Sequence, residues 1–150
     1  MATFNEQMQA IANKYMDSGE EWPATTRQIA AWAVREKLWA PHPSSLISQC
    51  AEALSQAMRE EYITDAQGRT VRAKHAARVE QAVLWDDIRY ANREHMEIAL
   101  KGRRKMILGD CRQLKTDLDS FNENRSNGDP IQMSFDFTND LLELDALNKL

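Results

Sequence analysis

TTRQIAAWAVREKLWAPHPSSLISQCAEALSQAMREEYITDAQGRTVRAKHAAR, residues 25–78, is the stretch that decides how the chain is read. Thr25 is followed three residues later by Gln28, the form of a capping box in which each side chain satisfies the other's orphan backbone amide. Ile29, Trp32, Ala33 and Trp39 recur along one helical side, with Glu36 as the polar intruder. That spacing predicts a helix over residues 25–39. Pro41 and Pro43 stop it, because a proline disfavours helix in the residue before it. Ser44 or Ser45 can cap a second helix over 44–61, with Leu46, Ile47, Cys50, Leu54, Ala57 and Met58 as its buried face. From Tyr62 the residues change to β type. Asp65 to Gly68 has turn chemistry, Ile63 and Val71 anchor the hairpin, and Thr70, Arg72 and Lys74 alternate so as to present cations on one face.

Charge sharpens that picture. The chain of 150 residues has net charge -4, which does not advertise a polyanion partner. Its charges are segregated, however. Residues 62–78 hold four cations (Arg69, Arg72, Lys74, Arg78) against one acid, Asp65, whereas 114–150 hold three cations against eight acids. A local basic patch can meet phosphates while an acidic tail faces elsewhere; the plainer reading is solvated surface charge. With 43% apolar residues there is enough to bury a modest core, and no run approaches the length of a membrane span. The first ten residues lack the form of a signal peptide. Cys50 and Cys111, without metal-like spacing, read as small packed residues in a reducing cytoplasm.

Residues 25–74 resemble the winged helix-turn-helix family, in the order helix, helix, hairpin and in the opening Ala24-Thr25-Thr26-Arg27-Gln28-Ile29. The resemblance implies a mainly α fold with a small β-hairpin, a second helix that enters the major groove of double-stranded DNA, and a wing that touches backbone. It makes Ser45, Ser48, Gln49, Gln56 and Arg59 the groove-facing candidates, and Arg69, Arg72, Lys74 and Arg78 the phosphate contacts. Glu52, Glu60 and Glu61 on the same helix depart from a strongly cationic reading helix, and many winged helices bind protein instead. On this reading residues 1–80 form the winged-helix domain, opened by an amphipathic helix over 4–17 that Ser18-Gly19 ends.

Residues 81–91 then read as a linker or docking segment, with 76–79 able to extend as helix. Gln81-Ala82-Val83-Leu84-Trp85 resembles the short peptide by which bacterial proteins dock on the replicative sliding clamp, with Gln81, Leu84 and Trp85 as contacts. Gln132-Met133-Ser134-Phe135-Asp136-Phe137 resembles its six-residue form, through Gln132, Phe135 and Phe137. The alternatives are that Leu84 and Trp85 sit in the core of a connecting helix and that 131–137 is a half-buried strand. Residues 92–121 read as one long helix, with Met96, Leu100, Ile107, Cys111, Leu114, Leu118 and Phe121 at steps of mostly three and four. That seam fits either packing on the first domain or a homodimer. Lys101, Arg103, Arg104 and Lys105 form a second basic cluster that can track a phosphate backbone or stay a solvated face. Parts of this helix, Arg93 to Glu97 and Gly109 to Asp117, resemble an uncharacterised bacterial family. Residues 122–130 have loop composition, and Thr138 is positioned to cap a last acidic helix with Leu141, Leu142, Leu144 and Leu147.

No catalytic set emerges. His42, His75 and His95 are scattered, and His95-Met96-Glu97 lacks the Pro-Cys-x-x-Cys that a zinc deaminase needs. There is no phosphate-binding glycine loop, and Asp86, Asp87, Glu94 and Glu97 read as surface acids rather than metal ligands. The expectation is a cytoplasmic DNA-binding accessory or regulatory protein without cofactor, or else a protein-interaction adaptor.

Overall fold

The computed structural model describes residues 1–125 and 128–149; Ser126, Asn127, Leu150 and the side chain of Ser44 lie outside the described residues. The chain is mainly helical with two small antiparallel hairpins, and it divides into two compact units, Met1–Gln56 and Ala57–Leu150.

In the first unit, helix α1 (Phe4–Asp17) is opened by Thr3, whose capping box uses Glu6. Helix α2 (Thr26–Arg35) is opened by the expected Thr25–Gln28 box, with both reciprocal bonds formed, at 2.7 and 3.1 Å. The core lies between them. Tyr15, Trp32 and Ala33 are buried, with Tyr15 and Trp32 edge to face at 5.4 Å. Ile11, Ala24, Ile29 and Trp39 pack around these three, and the Tyr15 hydroxyl donates to the carbonyl of Glu21.

α2 ends at Arg35, four residues short of the expected Trp39. The cause is local. Leu38 N–H bonds the Ala33 carbonyl and Lys37 N–H the Val34 carbonyl, the two bonds of a Schellman stop, with Lys37 left-handed at φ 60°. A short 3₁₀ turn (Pro43–Ser45) leads into α3 (Leu46–Arg59), which starts and stops two residues inside the expected span. The predicted buried face of α3 is not found: the helix has no buried residue, and Leu46, Ile47 and Leu54 are exposed. Cys50 is exposed too, contrary to its expected packing, while Cys111 is half-buried. An amphipathic pattern supplies an apolar stripe, and only a partner surface can bury it.

The second unit corrects the wing. Strands β1 (Tyr62–Thr64) and β2 (Thr70–Arg72) pair antiparallel as expected, closed by Asp65 and Gly68. The chain then changes sheet at Ala73. Its N–H bonds the Glu61 carbonyl, its carbonyl accepts from Ile88 N–H, and it has no exposed surface. Lys74 therefore opens a second hairpin, β3 (Lys74–Val79) with β4 (Ala82–Asp87), joined by the two-residue turn Glu80-Gln81. Residues 76–79 are strand rather than helix, and the segment expected as linker is largely β4.

Helix α4 (Arg93–Asn124) follows, capped by Asn92, whose side chain accepts from His95 N–H. α4 packs on β3. The buried residues there are small, Ala73, Ala77 and Ala99, and His75 is the one bulky side chain among them. Beyond α4, residues 131–137 form no strand. The Asn122 side-chain amide bonds both the carbonyl and the N–H of Ile131. Ile131, Met133 and Phe137 are exposed and Phe135 half-buried, so the expected half-buried strand is absent. The last helix, α5 (Thr138–Leu147), has Phe137 at its N-cap with no side-chain cap bond, so Thr138 does not cap it; instead one carboxylate oxygen of Asp136 accepts from both the Thr138 amide and its hydroxyl. Leu141, Leu142, Leu144 and Leu147 are all exposed.

Candidate nucleic-acid interface

The four cations of the expected wing meet different fates, and the strand register explains each. Arg69 sits at the tip of the first hairpin, its Nε 2.8 Å from a carboxylate oxygen of Asp65. The other Asp65 oxygen accepts from the backbone amides of Arg69 and Gln67. The backbone amide of Arg69 does most to hold the Asp65 carboxyl below its ordinary range.

Lys74 lies across the ladder from Asp87. Its ammonium is 3.1 Å from both Asp87 and Glu61. The Glu61 carboxylate first, then Asp87, push the Lys74 pKa up. Asp87 is the hub of this cluster. It is 9% exposed, takes two guanidinium bonds and a backbone amide from Arg89, and takes the Lys74 ammonium as well. Arg89 first, and then Lys74, hold the Asp87 carboxyl well below the usual carboxylate range. Arg89 was not visible as a partner from sequence. Asp87 read there as a surface acid.

Arg72 and Arg78 have no carboxylate partner among the described residues. Arg78 is exposed on β3, paired across the ladder with Val83. Arg72 is half-buried and shares its face with Tyr62, its cross-strand partner. α4 brings a further cation to it. His95 donates from Nε2 to the His75 carbonyl at 2.9 Å, which fixes the start of α4 against β3. His95, Ala99 and Arg103 follow at four-residue steps, so they lie along one side of the helix. Arg103 thereby comes close enough to Arg72 for the two charges to repel. Arg103 is half-buried, and burial first, then Arg72, lower its pKa, while Tyr62 acts the other way. His75 orders the same corner, its Nε2 bonding the Arg72 carbonyl at 2.8 Å.

The structure thus unites Arg72, Arg103 and Tyr62, a trio that no sequence spacing signals. A partly desolvated guanidinium without a carboxylate is costly, and an anion bound between two such groups relieves both the burial and the repulsion. Lys101, Arg104 and Lys105 are exposed beside Arg103 on α4.

The remaining candidates are placed as follows. Ser45, Ser48, Gln49 and Gln56 belong to the first unit. Ser45 lies in the 3₁₀ turn, donating to the His42 carbonyl and accepting from Gln49 Nε2. Ser48 and Gln56 are exposed on α3. Arg59 belongs to the second unit, its guanidinium carbon 6.0 Å from the centre of the Trp85 ring. Gln81 is in the hairpin turn, Leu84 is exposed and Trp85 half-buried. Adjacent strand residues point to opposite faces, so Leu84 and Trp85 cannot enter one pocket while β4 stays paired. Gln132 and Phe137 are exposed outside any ladder.

Among the described residues no cluster of His, Cys, Asp or Glu is arranged to hold a metal, and no helix is long and apolar enough to cross a membrane. Compared with family models, curated proteins and solved structures, the chain gives no match.

Proposed function

We propose that this chain is a cytoplasmic DNA-binding accessory or regulatory protein that contacts duplex through its second unit. The order helix, helix, hairpin over residues 25–72 supports the winged helix-turn-helix resemblance, with β1–β2 in the place of the wing. The observation that carries it is the Arg72–Arg103 pair: two guanidiniums from distant parts of the chain, partly buried, near one another and without a carboxylate. Guanidinium forks match phosphate oxygens better than point charges do. Lys101, Arg104, Lys105 and Arg78 add exposed cations. Arg69 and Lys74 are already engaged by carboxylates and contribute less. The function is binding, with no catalytic step. Base reading by Ser48, Gln49 and Gln56 is secondary, because backbone contacts supply most of the affinity at such a surface.

The test is a mobility-shift titration with duplex at several salt concentrations. Arg72→Ala and Arg103→Ala are each expected to weaken binding and to reduce the slope of log affinity against log salt by about one, the loss of one phosphate contact. Lys74→Ala is expected to leave the slope unchanged. Equal slopes in all three variants, or no salt-sensitive binding by the native chain, would reject the reading.

A second reading, an adaptor docking on a sliding clamp, is favoured by one observation. Gln132 to Phe137 lies outside any strand ladder with Phe137 exposed, so a partner can take it as an extended peptide. The hairpin-bound Gln81–Trp85 segment is the weaker candidate.

A further inference from the structure

We propose that residues 107–121 of α4 pair in parallel, in register, with the same residues of a second copy of this chain. Leu100, Ile107, Leu114 and Phe121 recur at strict seven-residue steps along α4, and all four are exposed, at 49, 60, 45 and 47%. Cys111 and Leu118 fall between them at the companion heptad position, and both are half-buried. A strict seven-residue repeat of exposed apolar residues along a helix is the seam of a left-handed coiled coil. Arg104 takes the next companion position towards the N-terminus, where two copies would meet as like charges. The seam therefore begins at Ile107. Gly102 and Gly109 both fall on the outermost face, away from it.

The flanking charges choose the occupant and its direction. Asp110 and Asp117 border the seam on one side, and Lys101 and Lys115 on the other. In a parallel pair, Asp110 of each copy faces Lys115 of the other, twice by symmetry. In an antiparallel pair centred on the seam, at Leu114, Asp110 of one copy meets Asp117 of the other and Lys115 meets its own copy, so like charges face on both sides. Among the described residues Asp110 has no ion partner, and Lys115 holds only an exposed bond to Asp119 at 3.1 Å, which is readily exchanged. A seam this short gives weak association that depends on concentration. The pairing does not require that the chain bind DNA.

The full chain is measured by light scattering behind size exclusion, over a concentration series. The expected mass rises with concentration from 17.2 kDa towards twice that value. Leu114→Asp restores the monomer, whereas Met106→Asp, at a more exposed position on the outer face, does not. The direction is read separately. With Cys50→Ser in place, mild oxidation is expected to link Cys111 to its own copy across the axis. That readout leaves the seam intact and so stands even where Leu114→Asp loses helicity. A chain monomeric throughout, a dimer indifferent to Leu114→Asp, or a dimer that Cys111 fails to link would overturn the proposal.

Discussion

The two hairpins of the second unit solve the same problem with different means. β1–β2 has three-residue strands with half-buried Ile63 and Val71 as its anchor. β3–β4 has six-residue strands, packs against α4 through β3, and buries His75, Ala77 and Asp87. The difference shows in the cations. At the buried end of β3–β4 carboxylates stand beside the cations, and Lys74 and Arg89 become structural, whereas Arg78, exposed further along β3, has no carboxylate partner among the described residues. On β1–β2 only the tip residue Arg69 is paired, and Arg72 has no carboxylate partner among the described residues. Packing and availability for binding oppose each other over a few residues.

The sharpest way to break this contrast is to overfill the packed hairpin. Ala77 has no exposed surface where α4 lies on β3. Ala77→Leu is expected to destabilise the second unit by about 1–3 kcal/mol, because a well-packed site cannot take extra methylenes without shifting backbone or rotamers. Val71→Ala in the first hairpin should cost less, about 1 kcal/mol, since Val71 is only half-buried. Hydrogen exchange followed by mass spectrometry reads both, as lost protection over 74–87 and 62–72. Comparable losses from the two variants would mean that α4 does not press on β3 in solution.

The second contrast is electrostatic. The Asp87 carboxyl has its folded pKa depressed, by Arg89 first and then Lys74. A depressed carboxylate contributes stability above its unfolded pKa of about 4 and loses that contribution as pH falls through the folded value. Lys74, with its pKa raised, works the opposite way: its contribution is full below its unfolded pKa and is lost as pH rises through the folded value. The second hairpin should therefore be most stable between these limits, and its protection should fall on acidification below about pH 4. Asp87→Asn is expected to flatten that acid limb more than Asp65→Asn, because the side chain of Asp65 is 21% exposed against 11% for Asp87. An identical acid response in the two variants would place the acid-sensitive group elsewhere.

Much of this was legible in sequence where the signal is local. The 4–17 helix, the Thr25–Gln28 box, the turn at Asp65–Gly68 and the Asn92 start of the long helix each depend on a few neighbouring residues, and each stands as read. What failed depends on something a single segment does not carry. The end of α2 is set by Lys37 in a left-handed conformation, which glycine would have announced and lysine conceals. β3 escaped notice because Lys-His-Ala-Ala-Arg has weak strand propensity and because its turn, Glu80-Gln81, lacks glycine and asparagine. The stripe on α3 was real as a pattern, but pattern does not provide the surface that would bury it. The approach of Arg103 to Arg72 is tertiary, made by His95 anchoring α4 to β3, and nothing in the spacing of the two arginines announces it.

The smallest effect concerns the turns themselves. In the first hairpin the left-handed position is Gly68, at φ 82°, while in the second it is Glu80, at φ 58°. A left-handed residue with a Cβ costs about 1–2 kcal/mol, against which glycine's extra chain entropy offsets about 0.5–1 kcal/mol. Glu80→Gly should accordingly stabilise the second hairpin by about 0.5–1 kcal/mol, and Gly68→Ala should destabilise the first by a similar amount. No atom lies within 4 Å of a Cβ built at Gly68, so that cost is purely conformational. Denaturant midpoints at unchanged slope measure both variants. A lower midpoint for Glu80→Gly would mean that the glutamate side chain holds the turn by a contact worth more than the backbone strain it carries.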